Sequence, residues 1–167
     1  LDMLAREVLL PTPGGPEVEK LAQRGSEFLD LPYVVKGNDV SYSGLLTAAI
    51  RLLKIGKALE DVCYSIQEVA FSMLGETAER ALAHTGKREV LLTGGVAANQ
   101  RLREVLRIVA RNQKAKFLVV PREFAGDCGA QIAWTGLVAF EAGVEVSIPR
   151  SFVKPRWRLD SVDVPWR

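Results

Sequence analysis

The apolar and polar positions divide the chain into a helical first half and an alternating second half. Across residues 58–84, Val62, Ile66, Val69, Met73 and Thr77 recur at spacings of three and four, which predicts one long helix with a stripe against a core. Gly86 follows as its stop, because glycine accepts the left-handed turn that closes a helix. Residues 45–53 carry a second helical pattern. Leu1, Leu4, Ala5 and Val8 lie away from Asp2 and Arg6, which are four apart, so residues 1–9 read as a helix end. Pro11-Thr12-Pro13-Gly14-Gly15-Pro16 breaks that pattern, since proline removes donors and glycine frees the backbone, and a short helix is expected over 17–24. Residues 29–44, with Pro32, Gly37, Asn38 and Gly44, are turn-rich.

The later half alternates. Glu89-Val90-Leu91-Leu92-Thr93 is a short apolar run before Gly94-Gly95. Residues 97–112 are helical, with Leu102, Val105, Leu106 and Val109 on one face. Phe117-Leu118-Val119-Val120 is a second strand stopped by Pro121, and 127–142 reads as another helix. Strand–helix–strand–helix over 88–142 predicts parallel strands with a right-handed crossover, hence an α/β fold. The unbroken apolar runs predict strands covered on both faces.

Composition narrows the class. At 167 residues the chain is near one domain in size, and 48% hydrophobic with 25% charged residues excludes disorder. Lys plus Arg is 22 against 20 for Asp plus Glu, a net charge of +2 that excludes a polybasic tail protein but not a local basic face. No apolar run approaches the ~20 residues of a membrane span, and no secretory leader is visible, so no membrane partner is expected. Cys63 and Cys128 form neither a disulfide framework nor a zinc motif, which makes the reducing cytoplasm the expected location. Cys63, on the long helix, is read as core or half-buried. The only histidine is His84, placed at a helix end where it answers the helix dipole; chemistry needing a histidine pair lies outside this chain. Because Leu1 stands inside a helical pattern, the chain is expected to be a piece of a longer protein.

In parallel α/β sheets ligands bind beyond the carboxyl ends of the strands. The turns at 94–99 and 121–127 fall there, and adjacent strands would bring Asn99 and Asp127, 28 positions apart, to one crevice. Gly94-Gly95 allows backbone amides close to a ligand, and Asn99 can both donate and accept. Asp127 either caps the helix that follows or holds a metal. The plain alternative for Gly94-Gly95 is a tight turn. A second candidate is Pro13-Gly14-Gly15-Pro16 with Asp2 and Glu19, two carboxylates suited to the vicinal hydroxyls of a ribose. The alternative there is a helix break with Asp2 paired to Arg6 and Glu19 beside Lys20.

Thr93-Gly94-Gly95-Val96-Ala97-Ala98-Asn99, followed by Leu102-Arg103, resembles the signature of the universal tRNA threonylcarbamoyladenosine synthesis proteins. That family includes the catalytic subunit of the KEOPS complex and was formerly named O-sialoglycoprotein endopeptidase. The resemblance extends to Pro13-Gly14-Gly15-Pro16 with Glu19, and to Val35-Lys36-Gly37-Asn38-Asp39-Val40-Ser41-Tyr42-Ser43-Gly44-Leu45. It continues through Gly126-Asp127-Cys128-Gly129-Ala130-Gln131-Ile132-Ala133-Trp134-Thr135-Gly136 to Arg156-Trp157-Arg158-Leu159-Asp160. Trp134-Thr135-Gly136 is closer to the archaeal and eukaryotic branch than to the bacterial one.

The resemblance implies the C-terminal lobe of the actin, sugar-kinase and Hsc70 ATPase fold, which is ribonuclease H-like. It implies a helical subregion at about 17–86, a βαβα nucleotide-binding core at about 88–142, and a missing N-terminal lobe. Asp2, Gly15, Glu19, Gly94, Gly95 and Asn99 fall where such proteins bind the adenylate or ATP, and Asp127 falls on a metal ligand. The implied cofactor is one divalent metal, iron or zinc, completed by a histidine pair and a tyrosine that would precede Leu1. No catalytic residue is assigned within the chain. The implied reaction moves threonylcarbamoyl from threonylcarbamoyl-adenylate to the exocyclic amine of the adenosine beside the anticodon. The implied partners are tRNA and KEOPS subunits including a small protein kinase, with no DNA.

Two positions depart from the family pattern: Cys128 replaces an asparagine, as a small buried residue or a soft ligand beside the metal, and Asn38 replaces an apolar residue. A non-catalytic adenine-nucleotide scaffold and an ATPase of the same superfamily are the alternatives. A metalloendopeptidase finds no His-Glu-x-x-His run. Arg103, Arg107 and Arg111 recur every four residues, on a face set opposite Leu102 and Leu106, with Lys114 and Lys116 following. Residues 99–123 hold seven basic residues against two acidic. This face either meets tRNA phosphates or is simply solvated. Residues 146–167 carry five basic and two acidic residues with Trp157 and Trp166 interleaved. They contact tRNA or a partner, or they pack on the missing lobe, whose loss would expose Phe152 and Trp157.

Overall fold

The long stripe forms a single 27-residue helix, α4 (Leu59–Thr85), in a computed structural model that describes residues 1–158 and 161–166. Val62, Ile66, Val69, Met73 and Thr77 are all buried along it. Gly86 closes it at φ 64°, the left-handed turn predicted for that position. Around α4 stand α1 (Asp2–Glu7), α2 (Gly14–Ala22), α3 (Leu45–Lys54) and α5 (Gln100–Asn112). Helices α2, α3 and α5 pack on α4, and α1 packs on α2 and α3. Leu4, Val18, Ala49, Val62, Cys63, Ile66 and Met73 make the main core. Each buried aliphatic side chain of this size contributes about 1.5–3 kcal/mol.

The Pro-Gly-Gly-Pro run is not a break before 17. Helix α2 begins at Gly14, so Pro16 sits in its first turn, where the missing N–H costs no hydrogen bond. The Asp2 carboxylate accepts the Gly14 N–H at 2.9 Å and stands in for a cap on that helix. The turn-rich stretch contains a small hairpin, β1 (Val35–Lys36) antiparallel to β2 (Asp39–Val40). Gly37 and Asn38 form its two-residue turn, with Gly37 at φ +59°. Arg80 on α4 donates to the Gly37 carbonyl at 2.7 Å and holds the hairpin down.

The alternating half gives β3 (Glu89–Leu92) and β4 (Lys116–Val119), paired in parallel with Glu89 opposite Lys116 and Leu92 opposite Val119. A 3-10 turn (Gly95–Ala98) and α5 connect them. Leu102 and Leu106 of α5 pack with Phe71, Leu92 and Phe117 in a second, smaller cluster. The two-sided cover expected for these strands is not found in β3: its residues alternate in burial, and Leu91 is 62% exposed. One helix layer covers one face, so the apolar run is only half used.

The chain forms two units, Leu1–Arg122 and Glu123–Arg167. The division falls inside the βαβα core expected at 88–142, so the helical subregion and β3–α5–β4 share the first unit. At the junction lies a single-turn helix, α6 (Arg122–Ala125). The second unit holds α7 (Gly129–Glu141), which starts two residues later than predicted. Ile132, Trp134, Leu137 and Phe140 of α7 are exposed, as are Phe152 and Trp157. The Lys154 ammonium lies 4.7 Å from the Trp157 ring centre. Leu159, Asp160 and Arg167 of the tail fall outside the described residues. Among the described residues no helix is long and apolar enough to cross a membrane.

Candidate functional site

The first unit ties together the two helices that follow the glycine turns of the sequence. Glu19, on the first turns of α2, accepts the backbone N–H of Gln100 at the start of α5, at 2.7 Å. These residues are 81 positions apart. The contact joins the helix that begins at Gly14-Gly15 to the helix that follows Gly94-Gly95. Lys20, beside Glu19 in the sequence, pairs with Glu17 at 2.6 Å. Asp2 lies at the start of α2. One of its oxygens holds Gly14 and the other meets Arg6 at 2.9 Å, the pairing that alternative expects. The Gly14 N–H first, and Arg6 after it, hold the Asp2 carboxyl below the usual carboxylate range.

Asn99 is 6% exposed, and both ends of its amide are engaged. Its oxygen accepts the Leu102 N–H at 3.1 Å and caps α5, while its nitrogen donates to Gln67 at 2.9 Å. The side chain therefore faces into the protein and anchors the turn. What the turn presents outward is backbone: Gly94 at φ 95° and the exposed Gly95. Nothing lies within 4 Å of where a side chain would begin at Gly15, Gly94 or Gly95, so open space faces all three.

A groove of about 600 Å³ runs past this contact, lined by Glu19, Gln67, Gln100, Arg103, Glu104 and Arg107 among others. Arg101 closes part of its wall, with a bidentate pair to Glu68 at 2.7 Å per bond and a third bond to Glu104 at 2.6 Å. The Glu68 bonds chiefly raise the Arg101 pKa and fix it as a cation. Arg103 donates to the Ala97 carbonyl and braces the 3-10 turn. The arginine row of α5 adjoins the buried Leu102–Leu106–Ala110 stripe and is not opposite it as the sequence reading had it. Consecutive residues lie only about 100° apart around a helix.

The parallel register sends the turns after β3 and β4 from the same edge of the sheet. Asn99 belongs to the first unit and Asp127 to the second. Asp127 is exposed, and Cys128, half-buried rather than buried as expected, holds the position that precedes α7, so Asp127 does not cap that helix. Among the described residues no three His, Cys, Asp or Glu side chains gather as a metal site. Asp127 offers one oxygen, and a complete ligand set does not come from the described residues.

Gln67 and Glu68 were not singled out by sequence reasoning. A glutamine beside the buried Ile66 signals that a partner must exist, because a buried amide without one is costly. That the partner is Asn99, 32 residues on, is not legible before folding.

A helix-rich α/β unit with a parallel strand pair has a counterpart in the crystal structure of T. kodakarensis HypF. The match has a TM-score of 0.61 and 24% identity, and covers 77% of this chain and 17% of that one, a likeness of fold. The family is shown by sequence. The model of TsaD, tRNA N6-adenosine threonylcarbamoyltransferase, matches residues 1–134, and the chain belongs to that family. It is 56% identical to the tRNA N6-adenosine threonylcarbamoyltransferase of Thermofilum pendens, over all of this chain and 50% of the relative. It is 53% identical to the protein of that name from Caldivirga maquilingensis, over 99% of this chain and 50% of the relative. It is 55% identical to the probable bifunctional tRNA threonylcarbamoyladenosine biosynthesis protein of Methanocaldococcus jannaschii, over 99% of this chain and 31% of the relative. The chain thus spans half or less of the length of these relatives.

Proposed function

We propose that this chain is the C-terminal, adenylate-binding lobe of a tRNA N6-adenosine threonylcarbamoyltransferase, in an actin-like ATPase fold. The observation that carries the proposal is the Glu19–Gln100 bond, which ties the helix that begins at Gly14-Gly15 to the start of the helix that follows Gly94-Gly95 in a chain of this family, and we read the two glycine backbones as one wall. In this reading the adenylate of threonylcarbamoyl-adenylate lies along that wall. Glu19, with an oxygen to spare, and Asp2 hold the ribose hydroxyls. Gly15, Gly94 and Gly95 let the backbone approach, and Asn99, locked by Gln67, fixes the turn. Holding the adenylate in one orientation is the chain's contribution to the transfer onto the adenosine amine beside the anticodon. Asp127 supplies one oxygen to a divalent iron or zinc whose other ligands come from outside the described residues; such a metal supplies Lewis-acid or orienting chemistry when bound. The partners in this reading are tRNA and the KEOPS-type subunits, a small protein kinase among them, in the cytoplasm.

The test uses the complete natural polypeptide with threonylcarbamoyl-adenylate and an unmodified tRNA transcript, reading modified nucleoside by mass spectrometry. The wild type modifies the tRNA, Glu19→Ala loses at least tenfold in kcat/KM, and residues 1–167 alone modify nothing. Phosphate release from ATP without tRNA, in a protein that never modifies tRNA, would move the assignment to an ATPase. Adenylate binding without turnover would leave a scaffold.

A further inference from the structure

The exposed basic row of α5 is unused by the wall just described. Arg103, Arg107 and Arg111 stand at successive four-residue steps, about 6 Å of rise each, and Lys114 follows at the helix end. Arg107, Arg111 and Lys114 are exposed. Among the described residues, none of these four forms an ion pair with a carboxylate. Arg107 stacks 5.8 Å from the Phe117 ring centre, and Arg103 has only the Ala97 carbonyl. The acidic groups nearby are committed elsewhere: Glu104 and Glu68 to Arg101, Glu79 to the Gln113 amide, and Glu19 to Gln100. Lys116, by contrast, stands opposite Glu89 in the strand register and does not belong to the row. The row starts one turn beyond the Glu19–Gln100 contact, with Arg103 and Arg107 lining the groove there, and runs about 14 Å to the far end of α5.

We propose that this row is a track for the sugar–phosphate backbone of the substrate RNA, leading away from the adenylate wall. The proposal rests on the function proposed above. A row of unpaired cations at regular steps on a rigid helix matches a polyanion of regularly spaced charges. Guanidinium forks suit phosphate oxygens in particular. An acidic protein segment is the competing occupant. It offers no regular repeat, and it gives no reason for the row to begin at the wall where the RNA's reacting base must arrive.

The test measures the Kd of the complete polypeptide for an unmodified tRNA transcript at several salt concentrations, comparing the slope of log K against log salt. Arg107→Gln/Arg111→Gln/Lys114→Gln is expected to weaken low-salt binding at least tenfold and flatten the slope by about 2–3. Arg111→Gln/Lys114→Gln spares the Arg107–Phe117 stack and is expected to flatten it by about 1–2. Lys36→Gln/Arg51→Gln/Lys54→Gln removes the same charge from exposed positions outside α5 and leaves the slope unchanged. Slopes equal across all variants overturn the track while tRNA binding by the wild type keeps the functional reading. A control that falls as far as the α5 variants also overturns it, as does loss of a co-purifying protein with tRNA binding intact. A wild type that binds no tRNA overturns both.

Discussion

At the scale of single residues, the feature that matters most is the buried amide pair of Gln67 and Asn99. The Asn99 nitrogen donates to the Gln67 oxygen, and the Asn99 oxygen caps α5. Gln67→Leu leaves the Asn99 nitrogen buried without an acceptor, and an orphaned buried donor costs about 1–3 kcal/mol. Urea unfolding of the variant is expected to show a loss in that range, with adenylate affinity falling in parallel; a loss below about 0.5 kcal/mol would mean the pair does not hold the turn. The residues named from sequence as site candidates could be singled out because glycines after a strand, a carboxylate at a helix start and an amide beside them are types that suit a ligand, although each also has a plain structural use. Their roles were less legible. Asn99 reads as a ligand-facing amide, yet the fold turns it inward, because a helix start and a buried glutamine compete for the same side chain.

At the scale of elements, α4 was readable almost to the residue, since a long periodic stripe and a closing glycine leave little choice. The start of α2 was not, because proline and glycine signal a break only where a hydrogen bond is due, and the first turn of a helix owes none. The tie between the loop after α2 and α4 was invisible too, since it is made by a surface aspartate. Asp61 accepts the N–H groups of Ser26 and Glu27 at 2.8 and 2.9 Å, and Lys57 reaches Glu27 at 2.7 Å. The two backbone donors, and then Lys57, hold the Asp61 carboxyl below its ordinary value. A carboxyl lowered by folding adds stability above the ordinary carboxylate pKa, near pH 4, and loses it as pH falls through the lower folded value. Chemical denaturation from roughly pH 6 down to pH 3 is therefore expected to show a steeper loss for the wild type than for Asp61→Asn. Parallel curves would remove the loop tie from the account.

For the whole molecule, the strand–helix–strand order predicted an α/β chain, and it is one. Pattern along the sequence does not reveal which segments cohere, however, and the division after Arg122 cuts through the expected core. The two cysteines report on the two units separately. Cys63 is fully buried in the first, and burial, then the Glu60 charge, pushes its thiol up to about 11; Cys128 is half-buried in the second. An alkylating reagent followed by mass spectrometry is expected to modify Cys128 first. Cys63 should react only as the first unit unfolds, at a rate that rises with denaturant. Equal rates in native buffer would contradict the packing around α4.

The β3–β4 pair carries one more consequence. Among the described residues no third strand joins it, so each strand turns a row of unanswered amides and carbonyls outward. Such rows are templates for any extended segment that comes near; charge stands only at the first position of each strand, Glu89 and Lys116, and Leu91 stands bare further along. A polypeptide with these borders gains by finding neighbouring backbone to zip onto, whether from its own continuation or from another molecule. Crowding at high concentration is where that appetite would first be felt.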